Sequence, residues 1–223
     1  MNPLTGVMSE AWTFYKRFAR HLLLMAFAVY VVVAILEAVL AGLLGPVGAL
    51  LALVVSLVGA FLLQAALVKA VDDVRDGRAD MSIGDTLRAA RPVLGRVTVA
   101  SILAGLAIAI GFVLLIAPGL YLMTIWCLIV PVIVLENAAV GAAFSRSHEL
   151  VRGHGWNVLG VILLVILLLF GVNVVLGLIL IALPSAIREV ISGIVSGTLT
   201  APYLALVLTL GYFRLRQARS AVE

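Results

Sequence analysis

Six apolar stretches dominate this chain, covering residues 21–44, 47–67, 97–116, 120–135, 157–182 and 190–212. The hydrocarbon core of a bilayer is about 30 Å thick, and an α-helix rising about 1.5 Å per residue crosses it in roughly 20 residues. Backbone polar groups in hydrocarbon find no water, so stretches of this kind are expected as helices that satisfy their own hydrogen bonds. Gly45-Pro46, Pro118-Gly119 and Pro184-Ser185 mark three reversals, and Pro131 breaks the short fourth stretch. Composition agrees: 64% of residues are hydrophobic and 12% charged, where soluble domains have about half and a quarter. Six crossings use roughly 120 residues, which leaves short connections and no room for a separate soluble domain. The expected fold is all-α: one integral membrane domain over residues 1–223, with six transmembrane helices paired as three hairpins.

Charge gives the bundle a direction. Lys16, Arg17 and Arg20 precede the first stretch. Lys69, Arg75, Arg78, Arg88, Arg91 and Arg96 lie between the second and third, Arg146 and Arg152 between the fourth and fifth, and Arg214, Arg216 and Arg219 after the sixth. Only Arg188 falls on the other side, so fourteen of the 15 basic residues share one face. The positive-inside rule makes that face cytoplasmic, with both termini on it. The net charge of +4 then reflects loops beside anionic headgroups. No nucleic-acid partner is expected, because residues 72–96 balance five acids with five bases. The first apolar stretch is longer than a signal-peptide core and is expected to stay as a span. An Arg-rich, Lys-poor composition suits a bacterial chain, so the expected location is a bacterial plasma membrane.

One unit recurs three times, over residues 1–71, 81–136 and 139–213, with residues 72–80 as a charged cytoplasmic connection. Each unit is an amphipathic cytoplasmic helix, a span, a Pro-containing outer turn and a span back. The first amphipathic stripe is Met8, Ala11, Trp12, Tyr15 and Ala19. The second is Ile83, Leu87, Ala90 and Leu94, and the third is Val140, Ala143, Phe144, Ser147 and Val151. These recur at helical spacing with charge opposite. Ser82 followed by Asp85 fits a helix cap. Such helices are expected in the plane of the inner headgroups, held by their apolar stripes; the alternative is packing against the bundle.

The run Ala117-Pro118-Gly119-Leu120-Tyr121-Leu122, with Trp126, Pro131 and Val134-Leu135-Glu136, carries a family resemblance. It continues through Ser145-Arg146-Ser147, Leu150, Arg152-Gly153 and Trp156. Over residues 116–160 the chain resembles the bacterial membrane domain attached to some glycerophosphoryl diester phosphodiesterases, a domain that also occurs as stand-alone multi-span proteins. The catalytic part of those fusions is a separate barrel of about 250 residues, for which this chain has no length. The resemblance therefore implies a membrane part and no phosphodiesterase activity. Family members often carry a Tyr-x-Asp-x-Arg-like segment after the last span; here Tyr212-Phe213-Arg214-Leu215-Arg216 has no Asp, so no role for that acid carries over.

Few residues suggest chemistry. His148 and His154 are six apart, with Gly153 between them and Arg152 beside them, so they do not match a metal-binding helical pair. No metal or cofactor is expected. Cys127 is a lone thiol within an apolar run. Ionisable groups inside spans are expensive, and Glu37 is the clearest. It lies about 26 Å along the helix from Arg20, towards the outer side. It is a candidate proton or cation site; the structural readings, solvation in the outer interface or pairing with Arg188, are favoured. Gln64, Asn173, Thr198 and Thr200 are candidates to bond between helices or to line a cavity beside Pro202. Glu136, Arg146 and Arg152 are candidate anchor or lipid-headgroup contacts at the cytoplasmic side: either a salt-bridged anchor for the third amphipathic helix or a phosphate-holding pair of guanidiniums.

Two functions follow. The first is a non-enzymatic module that organises lipid at the inner leaflet or supports a membrane or cytoplasmic protein partner. The second is a small transporter or permease for a lipid-derived or hydrophobic solute. A solid aliphatic core favours the first, and a polar cavity reaching the midplane favours the second.

Overall fold

The computed structural model describes residues 3–75 and 81–220, and among them every regular element is a helix. In order these are α1 (Val7–Arg17), α2 (Ala19–Val74), α3 (Ile83–Leu114), α4 (Ile116–Trp126), α5 (Ile129–Glu136), α6 (Val140–Val151), α7 (Gly155–Ile179) and α8 (Ser185–Ser220). Among the described residues five helical stretches are long and apolar enough to cross a membrane: Ala19–Val74, Ile83–Leu114, Ile116–Glu136, Gly155–Ile179 and Ile187–Ser220. The sequence suggested six. The difference arises in α2, which carries the first two apolar stretches without leaving helical hydrogen bonding except at one residue.

That residue is Gly45, at φ 54° and ψ −131°, a conformation that costs little only without a Cβ. Pro46 follows and removes a backbone donor, so the ladder breaks on both sides of this peptide. Beyond the break the chain lies back along itself. A Cβ on Gly48 would sit 1.9 Å from the Leu40 carbonyl oxygen, and one on Gly59 would sit 2.5 Å from Val33 Cγ2. Val33 and Gly59 would be about 39 Å apart in a straight helix.

The three amphipathic segments meet different fates. α1 packs along α8, with Leu4 beside Gly211 and Trp12 against Tyr203 at 6.2 Å between ring centroids. The second segment is not a separate helix but the first part of α3. Its Ser82 cap forms as expected, accepting from the Asp85 N–H at 3.2 Å. Its most buried residues are Thr86, Ala90 and Val93, while Ile83 and Leu87 of the expected stripe pack against the core partly buried. In α6 the stripe has the right phase, since Ala143, Ser147 and Val151 are fully buried. What it meets is protein: α6 lies across the junction of α4 and α5, with Phe144 edge-on to Trp126 at 4.9 Å. The expectation that this stripe is held in lipid is therefore corrected.

Burial is uneven along the bundle. The interior is built from Leu63–Val74 of α2, the first half of α3, all of α5, the inner face of α6 and Tyr203–Leu215 of α8. Basic residues frame this end: Arg75 stacks over Phe213 at 3.9 Å, and Arg214 meets Glu10 at 2.5 Å. The opposite end, around Gly45, Leu115 and Ile181, exposes its large aliphatic side chains. Of the charged connection, residues 76–80 lie outside the described residues; Asp73 accepts the Met81 N–H at 3.1 Å across it.

Placing a Cβ at Gly45 should destabilise the chain. Gly45→Ala is expected to cost about 1–3 kcal/mol, while Gly42→Ala, where a Cβ meets open space, should be nearly neutral. Denaturant unfolding in a mild detergent checks this; equal stability of the two variants would remove the strain from Gly45.

Candidate functional site

Two polar regions occupy opposite ends of the bundle. At the basic end, α5 ends with Glu136, and Asn137 turns the chain at φ 55°. Arg96 of α3 holds this turn, donating to the Asn137 carbonyl at 2.7 Å and to Asn137 Oδ1 at 2.5 Å. The Arg146 Nε lies 3.3 Å from both carboxylate oxygens of Glu136, and its Nη1 lies 3.5 Å from Glu149. Tyr212 of α8 donates its hydroxyl to Glu136 Oε1 at 2.7 Å. Partial burial works against the Arg146 charge, but attraction and hydrogen bonding from Glu136 and Glu149 outweigh it and raise its pKa.

Ser147 performs a second closure one residue on. Pro131 lacks an N–H, and the helix is broken between Trp126 and Ile129. The Ser147 hydroxyl donates to the Ile125 carbonyl at 2.7 Å and accepts the Leu128 N–H at 3.3 Å. A buried break would otherwise leave these backbone groups unpaired. Of the three residues proposed together from sequence, Glu136 and Arg146 meet. Arg152 does not: it ends α6, its side chain is exposed, and among the described residues it makes no ion pair.

The other region is an open-sided cavity of about 680 Å³ between the two halves of α2 and the start of α8, with Leu53 and Val190 of its lining exposed. One wall carries Ala34, Ala38 and Ala41, and the facing wall carries Ala49, Ala52 and Ser56. Each set recurs at helical spacing, so two small-residue faces oppose one another and leave volume between them. Glu37 lines this space. Arg188 does not, but its neighbour Glu189 does, as does Tyr30. Pairing of Glu37 with Arg188 is thus corrected: among the described residues Glu37 makes no ion pair, and its companion in the cavity is a second carboxylate.

The remaining polar candidates do not join Glu37. Gln64 lines a separate cavity of about 360 Å³, together with Ser101 and Cys127. Asn173 Oδ1 accepts from Ser196 Oγ at 2.9 Å, tying α7 to α8, while its Nδ2 donates to the Leu169 carbonyl at 2.8 Å. Thr200 donates back to the Ser196 carbonyl at 2.7 Å, and the buried Thr198 hydroxyl has no hydrogen-bond partner among the described residues. Near Pro202 the carbonyl of Leu199 accepts from Tyr15 of α1 at 3.0 Å, so α1 covers the part of α8 beside Pro202. One polar set across the spans is therefore replaced by three separate ones. Sequence reasoning missed Glu189, which sat at the edge of the last apolar stretch and was overshadowed by Arg188. It also missed Tyr212 and Ser147 as partners, since their contacts join positions 76 and 22 residues apart.

Removing the charge at the centre of the inner network should be costly. Glu136→Gln leaves half-buried Arg146 with Glu149 alone and is expected to lower stability by about 1–3 kcal/mol, against nearly nothing for Arg152→Gln. Thermal unfolding in detergent measures both, and matching losses would show that Glu136 holds nothing together.

Comparison of the chain with known protein families, characterised proteins and solved structures finds no match to any of the three.

Proposed function

We propose that this chain crosses a bacterial plasma membrane six times, with both termini cytoplasmic, and that it holds a lipid-derived or hydrophobic solute in the cavity between the halves of α2 and α8. In this reading the protein is a small permease or binding module and carries out no chemical step. Two crossings within α2 would put Lys16 and Lys69 on the same side, which agrees with the orientation that the positive-inside rule gives the fourteen basic residues of the sequence. The resemblance over residues 116–160 fits this reading, and rests on those residues alone.

The observation that carries the proposal is the cavity itself, which lies towards the Gly45 end and is mostly apolar, so it supports the holding of an apolar solute and not a polar path to the midplane. Its volume of about 680 Å³ falls within the range of about 300–1,000 Å³ typical of small-molecule sites. Its walls are mostly apolar, with a few polar groups, as an amphiphile requires. The competing reading, a module organising lipid at the inner leaflet, loses two supports. Arg146 is already engaged by Glu136 and Glu149 and is not a vacant phosphate ligand. The apolar face of α6 is covered by the bundle. Arg152 remains an exposed cation for anionic headgroups.

Filling the cavity should displace its guest. Native mass spectrometry from a mild detergent is expected to find a hydrophobic molecule retained by the wild type and lost from Ala52→Phe. Leu168→Phe, on the exposed face of α7, should retain it. Equal retention by both variants would count against the cavity.

A further inference from the structure

We propose that the guest of this cavity is a cation: an amphiphile with an ammonium or similar onium head and an apolar body. This rests on the reading of the cavity as a solute site and adds the charge of the solute. Glu37 comes from the first half of α2 and Glu189 from the start of α8, so two separate elements bring carboxylates to one space. No basic side chain lines it, and among the described residues neither acid makes an ion pair or hydrogen bond. Glu37 is partly buried and Glu189 is exposed at the mouth, so Glu37 is the carboxylate set against the apolar wall, where a counter-charge offsets the cost of its position. Among the described residues the only basic side chain of this end, Arg188, precedes Glu189 on α8 and is not among the lining side chains.

Three further features select an organic cation over a bare metal ion. Among the described residues no three His, Cys, Asp or Glu come together as a metal group. The cavity is far larger than an ion, and most of its lining is aliphatic, including Val33, Leu53 and Ile194. Tyr30 adds an aromatic ring to the wall, held where a Cβ on Gly197 would fall 2.4 Å from its Cζ. Aromatic faces attract onium groups, and the attraction strengthens when water is excluded. Two carboxylates, one ring and an aliphatic body thus match the two parts of a cationic amphiphile.

The test uses two probes of nearly the same size and opposite charge, tetraphenylphosphonium and tetraphenylborate, with purified full-length protein in zwitterionic lipid nanodiscs and equilibrium dialysis. Saturable binding of the phosphonium is expected, with little binding of the borate. The double variant Glu37→Gln, Glu189→Gln keeps the shape of both side chains and should weaken phosphonium binding by about tenfold or more. Ala52→Phe should abolish it, and thermal unfolding confirms that each variant is folded. Equal binding of both probes, or phosphonium binding unchanged in the double variant, would overturn the cation assignment; if Ala52→Phe still removed the bound probe, the cavity would stand as a neutral solute site. Phosphonium binding insensitive to Ala52→Phe would overturn the assignment together with the cavity reading.

Discussion

A backbone in hydrocarbon must satisfy every N–H and C=O within the protein, and it has only about 30 Å in which to do so. α2 is 56 residues long and would extend about 84 Å if straight. The reversal at Gly45 reconciles the two, and much of the remaining structure follows from it. It returns Leu63–Val74 to the basic end, where these residues form the centre of the packed interior. It also sets Glu37 across from the second half of α2, with α8 closing the third side. A Cβ at Gly45 or a bulky residue at Gly59 would disturb both outcomes, because both depend on the same close return of the chain.

The two ends of the bundle use opposite packing rules. At the basic end, large side chains interdigitate, and several polar groups are paired across elements, while the buried Thr209 hydroxyl has no hydrogen-bond partner among the described residues. Glu136 links α5, α6 and α8 through Arg146 and Tyr212, and Ser147 closes the break made by Pro131. At the far end, alanines face alanines, and Leu, Val and Ile point outwards to where lipid would lie. Small faces often let helices touch. In α2 the two halves approach closely at Val33 and Gly59 and again at Leu40 and Gly48, and leave volume between these points. One end therefore fixes the relative positions of the helices, and the other leaves space between them.

Periodicity and hydropathy revealed the helices, the turn at Gly45-Pro46, the Ser82 cap and the buried phase of α6. Each of these is written within a few residues of sequence. The environment facing a stripe is not local information. Ala143, Ser147 and Val151 look the same in sequence whether they meet lipid or another helix, and α5 is what decides. The same limit separated Glu37 from Arg188. The sequence placed both towards the outer side, but the fold brings Glu189 to the cavity instead. Tyr212 was visible only as part of a C-terminal motif, and its partner Glu136 lies three helices earlier. The small residues at 34, 38, 41, 49 and 52 were present in the sequence as a pattern, yet the volume between them exists only once the chain has folded back.

The reversal of α2 is tested most directly by a distance. Spin labels at Val32 and Val58, both exposed, would be read by pulsed electron resonance in nanodiscs, with Cys127 replaced by Ala. Neighbouring helix axes lie about 8–10 Å apart, so a folded-back α2 predicts a separation of roughly 10–25 Å once the label arms are included. A continuous helix would place the same positions about 39 Å apart, and a distribution centred there would contradict the account.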